Sequence, residues 1–138
     1  MKVYQNKITE WFLRIALSAG FLSAVADRLG LWPKASSVWG NWENFLAYTQ
    51  TLMPIFPKSF IPFFAVTATA LEIVLAIGLF INYKTALVAK CSGFLLLLFG
   101  LAMTLSTGIK APLDYSVFAA SAGAFALGVI LNNGNKSL

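Results

Sequence analysis

The sequence predicts an all-α membrane protein, an antiparallel four-helix transmembrane bundle with a short interfacial helix in its first connection. Three observations carry that reading. The 138 residues are 59% hydrophobic and 11% charged, with a mean hydropathy of +0.77, where a soluble domain carries ~25% charge. Four apolar stretches, at about 11–31, 62–82, 85–107 and 113–131, are each long enough to cross, or nearly cross, a ~30 Å hydrocarbon layer at ~1.5 Å per residue. The turn Asn82-Tyr83-Lys84 between the second and third stretches is so short that the two must run antiparallel, side by side. The chain reads as one membrane domain, with nothing left over for a soluble one.

The first stretch runs from Trp11 to about Leu31, after Lys2 and Lys7 and before Trp32; the flanking tryptophans suit interfacial anchors. A cleavable signal peptide is the competing reading, since Lys2 and Lys7 form a basic start and Ala24-Val25-Ala26 fits a small-x-small site. Arg14 interrupts that apolar core, however, and the apolar pattern continues past Asp27-Arg28 to Leu29, Leu31 and Trp32, which favours a retained helix. Pro33 then ends the span. In the long connection Asn41 can cap a helix from Trp42 to Met53, with Glu43 in its first turn and Pro54 as a stop. Trp42, Phe45, Leu46, Thr49, Leu52 and Met53 fall on one side of it and Glu43, Asn44, Gln50 and Thr51 on the other. Such a helix lies along the membrane surface or roofs the bundle. Pro54, Pro57 and Pro62 turn the chain back into the bilayer.

In the second stretch Ala65, Ala68, Thr69, Glu72 and Ala76 share a face, so Glu72 points at neighbouring helices across a small-residue ridge. The third carries Lys90 and Cys91 in its first turns and Gly93, Gly100, Thr104 and Gly108 near one face. The fourth repeats small residues at Ser116, Ala120, Ala124 and Gly128, and Asn132 to Leu138 forms a polar tail expected to fray. Lys2, Lys7, Arg14, Lys84, Lys90 and Lys136 gather on one side, against Arg28, Lys34, Lys58 and Lys110 on the other. That bias places both termini in the cytoplasm.

The net charge of +5 does not point to nucleic acid, because the basic residues stand singly at the ends of apolar stretches, as snorkelling anchors do. Cys91 is the sole cysteine and histidine is absent. No intramolecular disulfide, Cys-x-x-Cys pair, bis-His haem, His-containing zinc site or Ser-His-Asp triad can form within the chain. No Gly-rich phosphate loop appears. Metal ligation is therefore not expected, and any chemistry rests on Arg, Lys, Asp, Glu, Tyr and Trp or on a partner subunit.

Glu72 is the residue to explain. An acid at mid-depth costs about 2.5–3.5 kcal/mol on insertion scales, so it must face protein, find a partner or stay protonated. One reading makes it a hydrogen-bonded packing lock, with Thr69, Ser18 or Thr104 as neighbours; the other makes it a proton-handling or ligand-contacting acid. Arg14 and Arg28, fourteen residues or about four turns apart, share one face of the first helix, and each lies about 10 Å from the level of Glu72. Asp27 and Arg28 form either a helix-end charge pair or part of a cleft. Lys110-Ala111-Pro112-Leu113-Asp114-Tyr115-Ser116 suits a helix cap, with Asp114 against the dipole, and equally a polar mouth for a head group. Trp32, Trp39, Trp42 and Tyr48 suit an interfacial belt or a stacking surface for a flat ring.

Leu13-Arg14-Ile15-Ala16-Leu17, the run Leu71 to Leu79 around Glu72, and Lys110 to Ser116 together make the chain, over about residues 9–131, resemble the DoxX family of small bacterial four-helix membrane proteins. The resemblance implies a bacterial inner-membrane protein, with Arg14 and Glu72 as family-matching polar positions. A related branch, DoxD, is associated with quinone-linked thiosulfate oxidation, and other members appear in oxidative-stress complexes. Vitamin K epoxide reductase-like proteins share the four-helix plan but need a cysteine pair that is missing here.

The expectation is thus an accessory or quinone-associated subunit of a membrane redox system. Glu72 is its candidate catalytic acid, and Arg14, Asp27, Arg28, Lys110, Asp114 and Trp42 are its candidate ligand-binding residues. The chain itself holds no cofactor, a quinone is the ligand in view, and electrons would come from a partner subunit. The expected surroundings are the lipid bilayer, with a redox partner and a second copy of the chain as further partners. The alternatives are a small-solute or proton transporter element built on the buried charges, and an assembly partner that packs through its small-residue ridges.

Overall fold

The computed structural model describes the backbone of residues 2–136 and the side chains of residues 6–134. The anchoring roles expected of the Lys2 and Lys136 side chains, and the last two residues of the expected tail, lie outside the described residues. The chain forms α1 (Lys2–Arg28), α2 (Trp42–Leu52), a 3-10 turn (Lys58–Phe60), α3 (Ile61–Gly78), α4 (Thr85–Thr107), α5 (Lys110–Asp114) and α6 (Val117–Lys136). Four segments are long and apolar enough to cross a membrane: Asn6–Arg28, Lys58–Gly78, Thr85–Thr107 and Val117–Gly134. Their outer faces expose Phe12, Phe63, Val74, Phe94 and Leu105, side chains that a water-facing surface rarely presents in such density. The molecule is a multi-pass, all-helical membrane protein.

The third span matches its expected limits, and the others end where backbone geometry stops them. The first helix ends at Arg28 rather than Leu31, because Gly30 takes a left-handed φ of 72° and the Leu31 N–H turns back to the Ala26 carbonyl at 2.9 Å, which closes the helix end. The second ends at Gly78 rather than Asn82: the Phe80 N–H tightens onto the Ile77 carbonyl and Lys84, at φ 48°, starts the next helix. The fourth is broken. α5 stops at Asp114, Ser116 adopts φ 55°, and the span proper begins at Val117. At the other end α6 continues to Lys136, so residues 132–136 of the expected tail are helical rather than frayed.

The four spans close into a ring in which α1 packs on α3 and α6, α3 on α4, and α4 on α6, the α4/α6 contact being the most extensive. The small residues of α4 explain that contact. Phe125 of α6 lies over Gly93 and Phe118 over Gly100, each so close that a Cβ would stand 2.9 Å and 2.7 Å from the ring atoms. The Ser121 hydroxyl donates to the Gly93 carbonyl at 2.7 Å and ties the two backbones together. Between α1 and α3, the Ser18 hydroxyl donates to the Ala76 carbonyl at 2.9 Å. Two apolar layers fill the interior, Leu17, Leu79, Ala89, Ala124 and Leu127 in one, and Phe21, Leu75, Ala76 and Leu95 in the next.

α3 and α4 meet tightly at the turn that joins them, where Val88 lies against Gly78. Farther from that turn, α3 residues 64–72 and α4 residues 95–103 line a cavity. α2 contacts both helices there and roofs the opening with its buried Phe45 and Thr49, so of the two placements expected for this helix the structure adopts the roof.

The Phe125 ring is also held edge-on against Phe94, 5.0 Å between centroids, and cannot swing aside freely. Gly93→Ala should therefore destabilise the bundle by about 1–3 kcal/mol through overpacking, read as a lowered midpoint in detergent unfolding, whereas Gly20→Ala, with nothing within 4 Å of its Cβ position, should not.

Candidate functional site

Two facts of helix geometry decide which arginine meets Glu72. The Ser18–Ala76 hydrogen bond sets α1 and α3 antiparallel with position 22 level with position 72, which leaves Arg28 about 9 Å beyond Glu72 along the axis. Helical side chains lean toward their own N-terminus. On antiparallel helices Arg28 therefore leans back along α1 while Glu72 leans forward to meet it. Arg14, on the other side of the Glu72 level, leans the same way along α1 and so away from Glu72.

The observed contacts follow. Arg28 Nη2 donates to Glu72 Oε1 at 3.1 Å, and Nη1 engages Glu72 Oε2 in a second, shorter contact. Nη1 also donates to the Thr69 hydroxyl at 2.9 Å, and that hydroxyl donates in turn to the Ala65 carbonyl. Arg28 and Glu72 are each 3% exposed. The carboxylate receives a two-pronged, charge-assisted pair, which offsets the cost of holding both ions out of water. Of the neighbours expected for Glu72, Thr69 is reached through Arg28, while Ser18 bonds the Ala76 carbonyl and Thr104 the Gly100 carbonyl.

Arg14 makes a separate cluster about 21 Å away along α1. It pairs with Glu10 at 2.7 Å, donates to the Leu79 carbonyl at 3.3 Å and to Asn82 Oδ1 at 3.0 Å, and lies over the Trp11 ring. It is buried; the snorkelling expected of it is replaced by a clamp on the C-terminal end of α3, where a cation suits the helix dipole.

Asp27 does not pair with Arg28 as a helix-end couple. Its carboxylate accepts the backbone N–H groups of Val38 at 2.7 Å, Trp39 at 3.1 Å and Gly40 at 2.7 Å. The loop can present three successive donors because Gly40 takes φ 76°, a conformation that glycine adopts without strain. The latch sets Trp39 against the site. The Arg28 guanidinium carbon lies 4.0 Å from the Phe45 ring centroid and 5.3 Å from that of Trp39, and Trp39 packs edge-on against Phe45 at 5.1 Å. Next to Trp39, Asn41 caps α2 by accepting the Asn44 N–H at 2.8 Å, so Asp27 and Asn41 together fix where α2 begins.

These groups form the polar end of a cavity of about 520 Å³, within the range of small-molecule sites. Arg28 and Glu72 are the charged members of its lining, and Trp39, Phe45, Phe64 and Phe99 supply aromatic wall. The lining residues Leu71 of α3, Leu98 of α4 and Tyr115 of the α5–α6 turn are exposed, so the cavity is open to the surroundings on the side where these residues lie. Tyr48 also lines it; burial, with a smaller contribution from Tyr115, pushes its phenol up from the ordinary tyrosine value, so it stays protonated at neutral pH. Two buried donors in the lining, Arg28 Nε and Trp39 Nε1, have no acceptor among the described residues.

Of the residues singled out in the sequence, the structure brings Glu72 and Arg28 into the cavity and places Asp27 directly behind it. Arg14 lies at the other end of the bundle. Lys110 and Asp114 form an exposed pair with each other, four residues apart, and are absent from the lining, whereas Tyr115 of the same string reaches it. Trp42 packs on Phe45 without lining the cavity. Of the flat-ring stacking candidates, Trp39 and Tyr48 line the cavity, whereas Phe45 and Phe99, which also line it, were not picked out as site residues. For α2 the signal was present in the recurrence of Phe45, Thr49 and Leu52 along one face. No cluster of metal-ligating side chains exists among the described residues.

Glu72→Ala leaves Arg28 buried and unpaired and should cost about 3–5 kcal/mol, while the double replacement Arg28→Met with Glu72→Met should recover much of it; a detergent unfolding series on the single and double variants reads both. In the same series Lys110→Ala should move the midpoint little, because the Lys110–Asp114 pair is solvent-exposed.

Comparison with protein-family models, curated proteins and solved structures finds no match to this chain.

Proposed function

We propose that this protein holds a small, membrane-soluble, quinone-like molecule in the cavity at Arg28 and Glu72, as a DoxX-like accessory subunit of a redox system in the bacterial inner membrane. The observation that carries the reading is the pairing of an open side, where Leu71, Leu98 and Tyr115 are exposed, with one polar, aromatic-walled end that contains two donors lacking acceptors among the described residues. A ring bearing carbonyl oxygens has acceptors for those donors, faces for Trp39 and Phe45, and an apolar remainder suited to Leu95, Phe99 and Met103.

Within this reading Glu72 holds the Arg28 guanidinium in place and neutralises it. Arg28 and Trp39 orient and polarise the ligand's oxygen, Tyr48 offers a hydroxyl that can donate or accept, and α2 excludes water above. A quinone supplies two-electron, two-proton carrier chemistry when bound. Donation of electrons belongs to a partner subunit, since the lone cysteine and absent histidine leave the chain without its own redox couple. Both termini in the cytoplasm, as the cation distribution suggests, puts the Arg28 end of the bundle toward the outer surface.

A transporter element is the second reading, and the specific observation in its favour is the presence of two buried arginine clusters, around Arg14 and Arg28, on one helix face. The apolar layer of Leu17, Leu79, Ala89, Ala124 and Leu127 argues against a continuous polar path.

Solvent extraction of gently purified protein should release a quinone in near-stoichiometric amount, and Arg28→Met should reduce that amount at least about tenfold, the loss of a charged hydrogen-bond donor being worth about 1.5–3 kcal/mol. Recovery of phospholipid alone from the wild type would sink the quinone reading, and proton or solute flux in liposomes with no donor enzyme present would favour the transporter.

A further inference from the structure

Resting on the reading of the cavity as a ligand site, the geometry points to a charge rule with Trp39 as its reader: the site selects an uncharged amphiphile through a carbonyl-type oxygen and excludes anionic amphiphiles such as fatty acids. The rule follows from a local charge count. Arg28 and Glu72 are the charged side chains in the lining and are bonded to each other through both terminal guanidinium nitrogens and both carboxylate oxygens. The two charges in the lining therefore cancel, and the Asp27 carboxylate directly behind them adds negative, not positive, charge. A carboxylate entering the polar end would meet a cation whose charge Glu72 already compensates and an anion at contact distance, in surroundings of low dielectric where an unmatched charge is expensive.

A neutral acceptor meets no such penalty. Arg28 is 3% exposed, and its Nε and the Trp39 Nε1 are buried donors with no acceptor among the described residues. Both residues line the same cavity, and their side chains are in contact, the guanidinium carbon lying over the indole ring. A ligand oxygen that reached either nitrogen would meet a donor with no other acceptor among the described residues. Trp39 is held there by Asp27 through the 38–40 backbone, so the indole N–H is presented by the loop, independently of the ion pair. Specificity of this kind comes from leaving the site's own polar groups unmet when the wrong ligand enters.

The test compares three probes sharing a ten-carbon chain, decylubiquinone, methyl decanoate and ionised decanoate, by native mass spectrometry of the full-length protein in detergent at about pH 8, well above the carboxylate range. The wild type is expected to retain both neutral probes at least about tenfold better than decanoate. Trp39→Phe, which keeps the ring and removes the N–H, should weaken the neutral probes about five- to tenfold, as expected for one hydrogen bond. Glu72→Gln leaves Arg28 uncompensated and should narrow or reverse the discrimination against decanoate.

The methyl ester and the acid differ in little but charge, so the wild type alone decides the rule even where a variant fails to fold. Equal retention of ester and decanoate overturns it, as does a Trp39→Phe protein that keeps full affinity for the neutral probes. Binding of the ester without decylubiquinone supports the charge rule while removing the quinone reading. Binding of no probe overturns both.

Discussion

The bundle depends on an ion pair taken out of water between α1 and α3. Arg28 and Glu72 are each costly alone in a lipid-surrounded interior, and together they are held by two parallel hydrogen bonds and a hydroxyl from Thr69. That arrangement fixes α1 against α3 in register and rotation, because a slip of one residue turns one partner toward lipid. The Ser18–Ala76 bond and the Arg14 clamp at the end of α3 repeat the same register at two further levels, so the polar contacts of α1 act as a ruler along α3.

The remaining architecture follows from what that pair leaves open. α4 and α6 pack closely through Gly93 and Gly100, while α3 and α4 line the cavity beyond their short turn. Lipid could fill such a space, but the polar end must be covered, and the 29–41 loop does this with Asp27 as its anchor and Gly30 and Gly40 as its bends. Trp39 and Phe45 then lie on the guanidinium, a contact favourable for a cation that has been desolvated. The candidate site is thus the place where the loop, α1, α2 and α3 solve one electrostatic problem together.

Glu72 stood out in the sequence because one carboxylate inside an apolar run has few explanations. Its partner did not. Counted as axial distance alone, Arg14 and Arg28 looked equally remote, and the symmetry is broken only by the lean of helical side chains toward their own N-termini on antiparallel helices. Asp27 was ambiguous for another reason: the backbone donors that it binds lie eleven to thirteen residues on, in a loop whose fold has no periodic signal. The polar string at Lys110 to Ser116 looked like a unit, yet the turn at Ser116 sends Tyr115 to the cavity and leaves Lys110 and Asp114 outside.

What the sequence alone determined is the solvent and the secondary structure: hydropathy and length demand four lipid-crossing helices, and the Asn41 cap with its apolar face demands a short amphipathic helix, because these follow from local periodicity and transfer energy. Which charges meet, which tryptophan faces the interior and where the bundle opens were decided only by tertiary structure. Those outcomes depend on helix register and rotation, which are set by a few contacts between residues distant in the chain, and no local pattern encodes them.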